Sequence, residues 1–417
     1  MSSVLHILAQ RPSMTGSGVT LEALAAQADA SGWDQRAIVG VPAGDRPPKV
    51  GPIPAENIFP LRFGTRELPF PVPGMSDLMP YRSTIYASMT GTQVAAYESA
   101  WTRHIGAIIE ARRPDLIHSH HVWIVSSLLK TIAPSIPVVT HCHATGLRQM
   151  ALCPALAGNV RRRCRAIDRF CVLHRGHAIE LARELDVPQD RIQVVGAGFR
   201  TDIFRTEAPP CGSSTTGGSE RERRAILYTG KLSRAKGLPW LLDAIERLSP
   251  GLPGLVLHVA GSGDGHEADE LRARMQRLHP LVRYHGQLAQ DDLAVLMRRC
   301  ALFVLPSFYE GLPLVLVEAL ACGCRLVCTR LPGVAEQLAP ALGPALELVD
   351  LPRLKGVDTP LPEDLPAFVA HLAETVEQTL AQPPLEPDGL GAILEPFTWR
   401  AVFQRVERVW SDVVPVG

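Results

Sequence analysis

Between Leu302 and Thr329 the chain spells a strand, a polar loop, a short helix and a second strand, a succession that calls for a parallel sheet. Leu302–Leu305 is an apolar run and Ser307–Gly311 is polar. Pro313 then suits a first helical position, where its missing N–H leaves no bond unmade. Leu314–Ala321 is apolar apart from Glu318, Cys322-Gly323 ends the helix, and Arg325–Thr329 reads as the next buried strand. The loop therefore lies at a strand's carboxyl end, where open parallel sheets bind ligands, and the amides opening the helix favour an anion such as a nucleotide phosphate. Two carboxylates, Glu310 before the helix and Glu318 inside it, complete the stretch.

The chain's 417 residues suit two domains of about 200 residues each. A 46% apolar and 20% charged composition supplies core enough to exclude global disorder. Zero formal net charge argues against a nucleic-acid partner held by a dominant basic field. Residues 1–200 hold 21 Lys+Arg against 15 Asp+Glu, so the first half is mildly basic. No run of eighteen apolar residues occurs, and the start MSSVLHILAQ enters a strand without a basic leader, so a cytoplasmic protein with no transmembrane segment is expected. The nine cysteines are odd in number and several fall in expected strands or helices, which fits buried thiols better than a disulfide framework.

Along the first half, strands are expected at Val4–Ala9, Ala37–Val41, Asn57–Phe63, Leu116–His121, Pro137–Thr140, Arg169–Leu173 and Ile192–Gly198, with helices at Val19–Ala30 and Gln93–Ala111. The segment Leu68–Thr84 is long and proline-rich but carries Met75, Met79 and Tyr81, which favours packing over disorder and marks a functional loop. His118, His120 and His121, then His141 and His143, close two successive strands. His118, His120, His141, Cys142 and His143 are plausible metal ligands by type, but neither group has a zinc-site spacing, and no metal is expected. Arg161–Arg165 reads as a solvated helix face, with a peripheral contact to anionic lipid on the membrane's inner face, or to a phosphorylated acceptor, left open. Residues 206–222 are rich in Pro, Gly, Ser and Thr and read as a flexible linker. Beyond them come strands at Ala225–Thr229, Leu255–Ala260 and Val282–Leu288, a helix at Pro366–Leu380 and a last helix running to Val413. Lys231 and Lys236 lie five apart across a strand-to-helix turn.

The pattern E-G-x-P-x₄-E-A-x-A-x-G from Glu310 to Gly323 resembles the signature of retaining glycosyltransferase family 4, the glycosyl transferases group 1 with the GT-B fold. Gly230–Gly237 resembles that family's G-R-L-x-x-x-K-G element, with Lys231 at the usual Arg position, and Gly16-Ser17-Gly18 resembles its first glycine loop. The resemblance implies an α/β fold of two Rossmann-like domains facing an interdomain cleft: an acceptor-side domain at 1–205, the linker at 206–222, a nucleotide-sugar domain at 223–396, and a terminal helix at 397–417 crossing back to the first domain. It implies donor contacts from Gly16, Gly18, Lys231, Lys236, Glu310, the amides of Gly311 and Leu314, and Glu318 on the ribose. It also implies Glu310, Lys236 and a strand-end histidine at the reaction centre; His143 or His141 could match, His143 being preferred by its spacing from the strand, and Ala144 after it departs from the family's Gly or Asp.

The expected activity is transfer of a hexosyl group from a nucleotide sugar, a UDP-sugar, to an unidentified acceptor with retention and no cofactor. A GT-B epimerase or hydrolase of nucleotide sugars, and a non-catalytic nucleotide-sugar-binding regulator, remain as alternatives.

Overall fold

Apolar runs of three to nine residues, most of them followed by a loop and a helix, pair in parallel in the computed structural model, which describes residues 2–12, 15–76, 79–206, 222–386 and 389–414. Two units result: Met1–Gly198 together with Trp399–Gly417, and Phe199–Thr398. Residues 199–205, read from sequence as the end of the first domain, group with the second unit. Residues 207–221 of the linker, with Cys211, lie outside the described residues, as does Asp77.

The first unit holds strands β1 (Ser3–Leu8), β2 (Asp34–Pro42), β3 (Ile58–Phe63), β4 (Leu116–His120), β5 (Val138–Cys142), β6 (Arg169–Val172) and β7 (Ile192–Val194). They form one sheet in the order β3-β2-β1-β4-β5-β6-β7, every pair parallel. Strand order reverses between β1 and β4, which makes their carboxyl ends the switch point of the sheet. The second unit repeats the plan with β8 (Glu222–Thr229), β9 (Val256–Ala260), β10 (Val282–Tyr284), β11 (Cys300–Leu305), β12 (Arg325–Thr329) and β13 (Leu346–Val349), ordered β10-β9-β8-β11-β12-β13. Its switch point lies between β8 and β11.

Local chemistry moves several element ends from their expected places. Helix α1 spans Gly16–Ala30, three residues earlier than the apolar pattern suggests, because Thr15 caps it and its Oγ1 accepts the Gly18 amide at 3.2 Å. Gly16 and Gly18 therefore sit in the first helical turn and not in a preceding loop. The last strand of the first sheet stops at Val194, and the strand begun at Val282 stops at Tyr284. The proline-rich segment after β3 is ordered by its apolar residues: Leu68, Phe70, Val72 and Met75 are buried in the first unit's core, and Gln149 Nε2 donates to the Met75 carbonyl at 3.2 Å.

Three of the four arginines between Arg161 and Arg165 are paired with carboxylates, whereas the exposed Arg162 donates to the neutral Asn159 Oδ1 at 2.7 Å. Arg161 bonds Glu184 at 2.8 Å, Arg163 pairs with Glu98 at 3.0 Å and Arg165 pairs with Asp186 at 3.3 Å. All eight described cysteines are buried thiols outside any disulfide. Among the described residues no helix is long and apolar enough to cross a membrane.

The terminal helix, Trp399–Val413, belongs to the first unit. Its Trp399, Val402, Phe403, Val406, Val409 and Trp410 recur at helical spacing and pack with Val4, Leu24, Ala28, Leu116 and Val139. Trp410 is fully buried, and its indole N–H donates to His118 Nδ1 at 2.8 Å. Trp410→Phe removes that donor, leaves the buried His118 nitrogen unsatisfied and opens space beneath the sheet. We expect it to destabilise the first unit by about 2–3 kcal/mol. A lower urea midpoint with an unchanged far-ultraviolet spectrum would register the loss; an unaltered midpoint would contradict it.

Candidate functional site

In the second unit two loops meet at the switch point. Gly230–Gly237 leaves β8 and Pro306–Pro313 leaves β11. Gly237 has φ +72, and a Cβ there would stand 2.0 Å from the Pro306 carbonyl oxygen, so the loops approach this closely only because the residue is glycine. Further bonds fix them: the Phe308 amide donates to the Ala235 carbonyl at 2.9 Å, and the Tyr228 hydroxyl to the Lys231 carbonyl at 2.8 Å. Thr329 Oγ1 at the end of β12 donates to the Ser307 carbonyl, and Phe308 plugs into the core against Trp240 and Phe368.

That scaffold brings Lys236 and Glu310 together. Lys236 Nζ lies 2.7 Å from Glu310 Oε1 and donates to the Tyr309 carbonyl at 3.0 Å, while Ser307 Oγ donates to Glu310 Oε1 at 2.9 Å. Both charged side chains are about one-fifth exposed, 22% for Lys236 and 21% for Glu310, so the pair is shielded yet open to a ligand. Burial together with the neighbouring Glu310 charge holds the Tyr228 hydroxyl well above its ordinary range. Lys231 is exposed on the same loop. The S-x-x-E spacing of Ser307 and Glu310 is that of a capping box, whose bonds run from side chain to backbone, so it does not announce the direct hydroxyl–carboxylate bond made here.

The helix α2, Leu314–Ala321, follows directly. Pro313 is its N-cap and not its first residue, with φ −78 and ψ 87, and no side chain caps the helix. The amides of Gly311 and Leu314 donate to no other group among the described residues and remain available to an anion. Glu318 sits one turn in, half-buried, with no side-chain partner among the described residues, and burial pushes its carboxyl up to about 7.

The first unit gathers the histidines. Because β4 runs through to His120, His118 and His120 share one face, and their rings stack at 5.2 Å. His141 on β5 stacks against His120 at 5.9 Å and against His143 at 4.8 Å. His120 Nδ1 and His143 Nε2 share a hydrogen bond of 3.1 Å. His143 is the N-cap of the helix Ala144–Leu152, and His121 beside it takes a left-handed φ of 67, unusual for a side chain of its size. Burial takes His141 down to about 4 and His121 to about 3, and holds His118, His120 and His143 well below the usual range, so the cluster is neutral at pH 7. Among the described residues no group of three or more His, Cys, Asp or Glu is arranged to hold a metal ion. Gly16 and Gly18 present backbone at the start of α1, beyond the carboxyl end of β1.

Residues 15–198 match the family described as glycosyl transferase 4-like domain, and residues 223–345 the family described as glycosyl transferases group 1. Glycogen synthase from Mycobacterium tuberculosis is 28% identical over 233 residues. That match covers 54% of each chain, so the chain spans about half the length of this curated relative. Two solved structures superpose over nearly the whole chain. Sucrose-phosphate synthase from Thermosynechococcus elongatus does so with a TM-score of 0.69 at 16% identity, covering 99% of each chain. HepE from Anabaena, solved with UDP-glucose, gives 0.61 at 18% identity, covering 99% of this chain and 100% of the other. Both likenesses are of fold.

Proposed function

The chain belongs to the family 4-type, group 1 glycosyl transferases with the GT-B fold, and on that premise we propose that it moves a hexosyl group from a UDP-sugar to an acceptor hydroxyl with retention of anomeric configuration. The observation that carries this reading is the Lys236–Glu310 pair of 2.7 Å, set where the Gly230–Gly237 and Pro306–Pro313 loops meet beside the uncapped start of α2. Without a donor, Glu310 and the Tyr309 carbonyl hold the ammonium in place. A diphosphate entering there meets Lys236 and Lys231 together with the amides of Gly311 and Leu314.

These groups stabilise the negative charge that grows on the leaving phosphate as the glycosidic bond breaks. Glu310, released from Lys236, accepts hydrogen bonds from the donor sugar, and Glu318 accepts them from the ribose hydroxyls. Neutral His143, tied to His120, offers the reacting sugar a fixed hydrogen-bonding nitrogen, while Gly16 and Gly18 leave room for donor phosphate and acceptor. No protein nucleophile is needed, and the two lysines and the amides supply the positive charge that a metal would otherwise bring. The choice of UDP is supported by HepE, a protein of the same fold that holds UDP-glucose.

Mass-spectrometric assay of UDP-glucose, UDP-GlcNAc, GDP-mannose and ADP-glucose, with and without a cell-extract pool of acceptors, tests the reading. A UDP-sugar consumed only when the pool is present, giving a product of the donor's anomeric configuration, is the expected result. Equal consumption without acceptors would assign an epimerase or hydrolase, and tight binding without consumption would assign a regulator.

A further inference from the structure

At the carboxyl ends of β1 and β2 in the first unit lies a cavity of about 450 Å³ whose charge the rest of the site does not explain. Arg11, Asp45, Arg46, Pro47, Pro48 and Lys49 line it. Three cations against one carboxylate leave its wall with two positive charges in excess. Asp45 is committed to Arg11, 2.6 Å away, whereas Arg46 and Lys49 have neither a hydrogen bond nor an ion pair among the described residues. Exposed cations lacking partners are common on surfaces, but here they face a concavity and their loop is held still. Arg62 donates to the carbonyls of Pro42, Ala43 and Asp45 at 3.3, 3.2 and 3.2 Å, two successive prolines stiffen the chain, and Val50 beyond them is fully buried. Parallel sheets present ligands at this edge, and a cleft lined by one sign of charge concentrates ions of the other sign.

From this arrangement we infer that the cavity is an anion site for a phosphate monoester, and, resting on the transferase reading above, that it receives a phosphate carried by the acceptor. A phosphomonoester bears about −1.5 to −2 charges at pH 7, which matches the excess of two, and offers oxygens enough for both Arg46 and Lys49. Arg11, oriented by Asp45, adds a planar fork suited to two of those oxygens. The same chemistry is met in a soluble sugar or polyol phosphate and in a phosphorylated lipid headgroup.

The full chain, first saturated with UDP so that the lysines of the second unit are occupied, is titrated calorimetrically with glucose 6-phosphate and, separately, with glucose. In parallel it is sedimented with phosphatidylcholine vesicles, plain or containing phosphatidic acid. The double variant Arg46→Ala/Lys49→Ala is carried through both arms. Binding of glucose 6-phosphate but not glucose, weakened roughly tenfold or more in the variant, establishes the site for a soluble phosphate ester. Sedimentation that requires phosphatidic acid and is lost in the variant establishes it for a headgroup. The proposal is overturned if neither probe binds, or if the variant binds both as the native chain does. UDP affinity of the variant is expected to be unchanged, so failure here leaves the donor reading intact, and failure of the donor reading shows separately in the UDP titration.

Discussion

Lys236→Ala lowers the rate of sugar transfer by about 10²- to 10³-fold, the usual consequence of removing one preorganised group from developing charge in a transition state. The ammonium is held by Glu310 at 2.7 Å and by the Tyr309 carbonyl at 3.0 Å, so its position is set before any donor arrives and no reorganisation is required when the leaving phosphate charges up. Substitution also strands Glu310, which keeps only the Ser307 hydroxyl as partner. Because both side chains are about one-fifth exposed, at 22% and 21%, the folded chain loses only about 1–2 kcal/mol, and the variant stays folded at 25 °C. Lys236→Arg keeps the charge but replaces a point donor by a fork too wide for the gap between Glu310 and Tyr309, so it restores part of the rate and not all of it. Steady-state kinetics on native, Ala and Arg forms, with thermal melts as controls, decide the matter. An Ala variant within tenfold of native would remove Lys236 from the reaction centre.

How far this site can be read from sequence depends on the range of the interactions that make it. α2 and β12 have their ends, Leu314–Ala321 and Arg325–Thr329, where the sequence places them. A run apolar but for Glu318 and bounded by Pro313 and Cys322-Gly323 sets the helix's length, and the short run Leu326–Thr329 after that break sets the strand. The glycine spacing of Gly230–Gly237 likewise marks a turn, but only the structure shows why Gly237 is required, since the obstructing carbonyl belongs to Pro306, far along the chain. Thr15 was not recognised as a cap, because capping depends on one hydroxyl–amide bond and leaves no periodic trace.

Charge was least legible. Arg161, Arg162, Arg163 and Arg165 form a conspicuous run, yet Glu184, Glu98 and Asp186, all from elsewhere in the sequence, pair with three of the four. Arg11, Arg46 and Lys49 are scattered and drew no notice, yet they end up around one cavity. The histidines show both cases. Their places at the ends of β4 and β5 follow from the strand pattern, whereas the partner of His118, Trp410, is 292 residues away.

Glu318→Gln separates what this carboxylate does for the donor from what it costs the fold. Half-buried and without a side-chain partner among the described residues, the carboxyl is pushed by burial from 4.5 up to about 7. Between those values the folded chain retains a proton that the unfolded chain has released. Raising the pH through this window therefore lowers stability, and above about 7 the whole penalty persists. At about 1.4 kcal/mol for each pKa unit it amounts to roughly 3 kcal/mol.

Glutamine has nearly the same shape and no charge to desolvate. Urea unfolding should accordingly find the variant more stable than the native chain by up to about 3 kcal/mol at pH 8, and nearly equal to it at pH 4.5. UDP acts in the opposite direction. With the ribose placed as proposed, its two hydroxyls donate to the ionised carboxylate and favour its charged form, so UDP binding to the native chain is expected to strengthen as pH rises towards and past 7. In the variant that pH dependence is lost, and affinity at pH 8 falls roughly tenfold or more. Calorimetric titration of UDP at pH 6 and pH 8 reads both effects. A variant that gains stability equally at both ends of the pH range would show that desolvation of Glu318 is not the cause. One that binds UDP as tightly as the native chain would show that the ribose lies elsewhere. If stability and affinity move in opposite directions, as expected, then a group poorly tolerated by the empty fold is kept for the ligand that satisfies it.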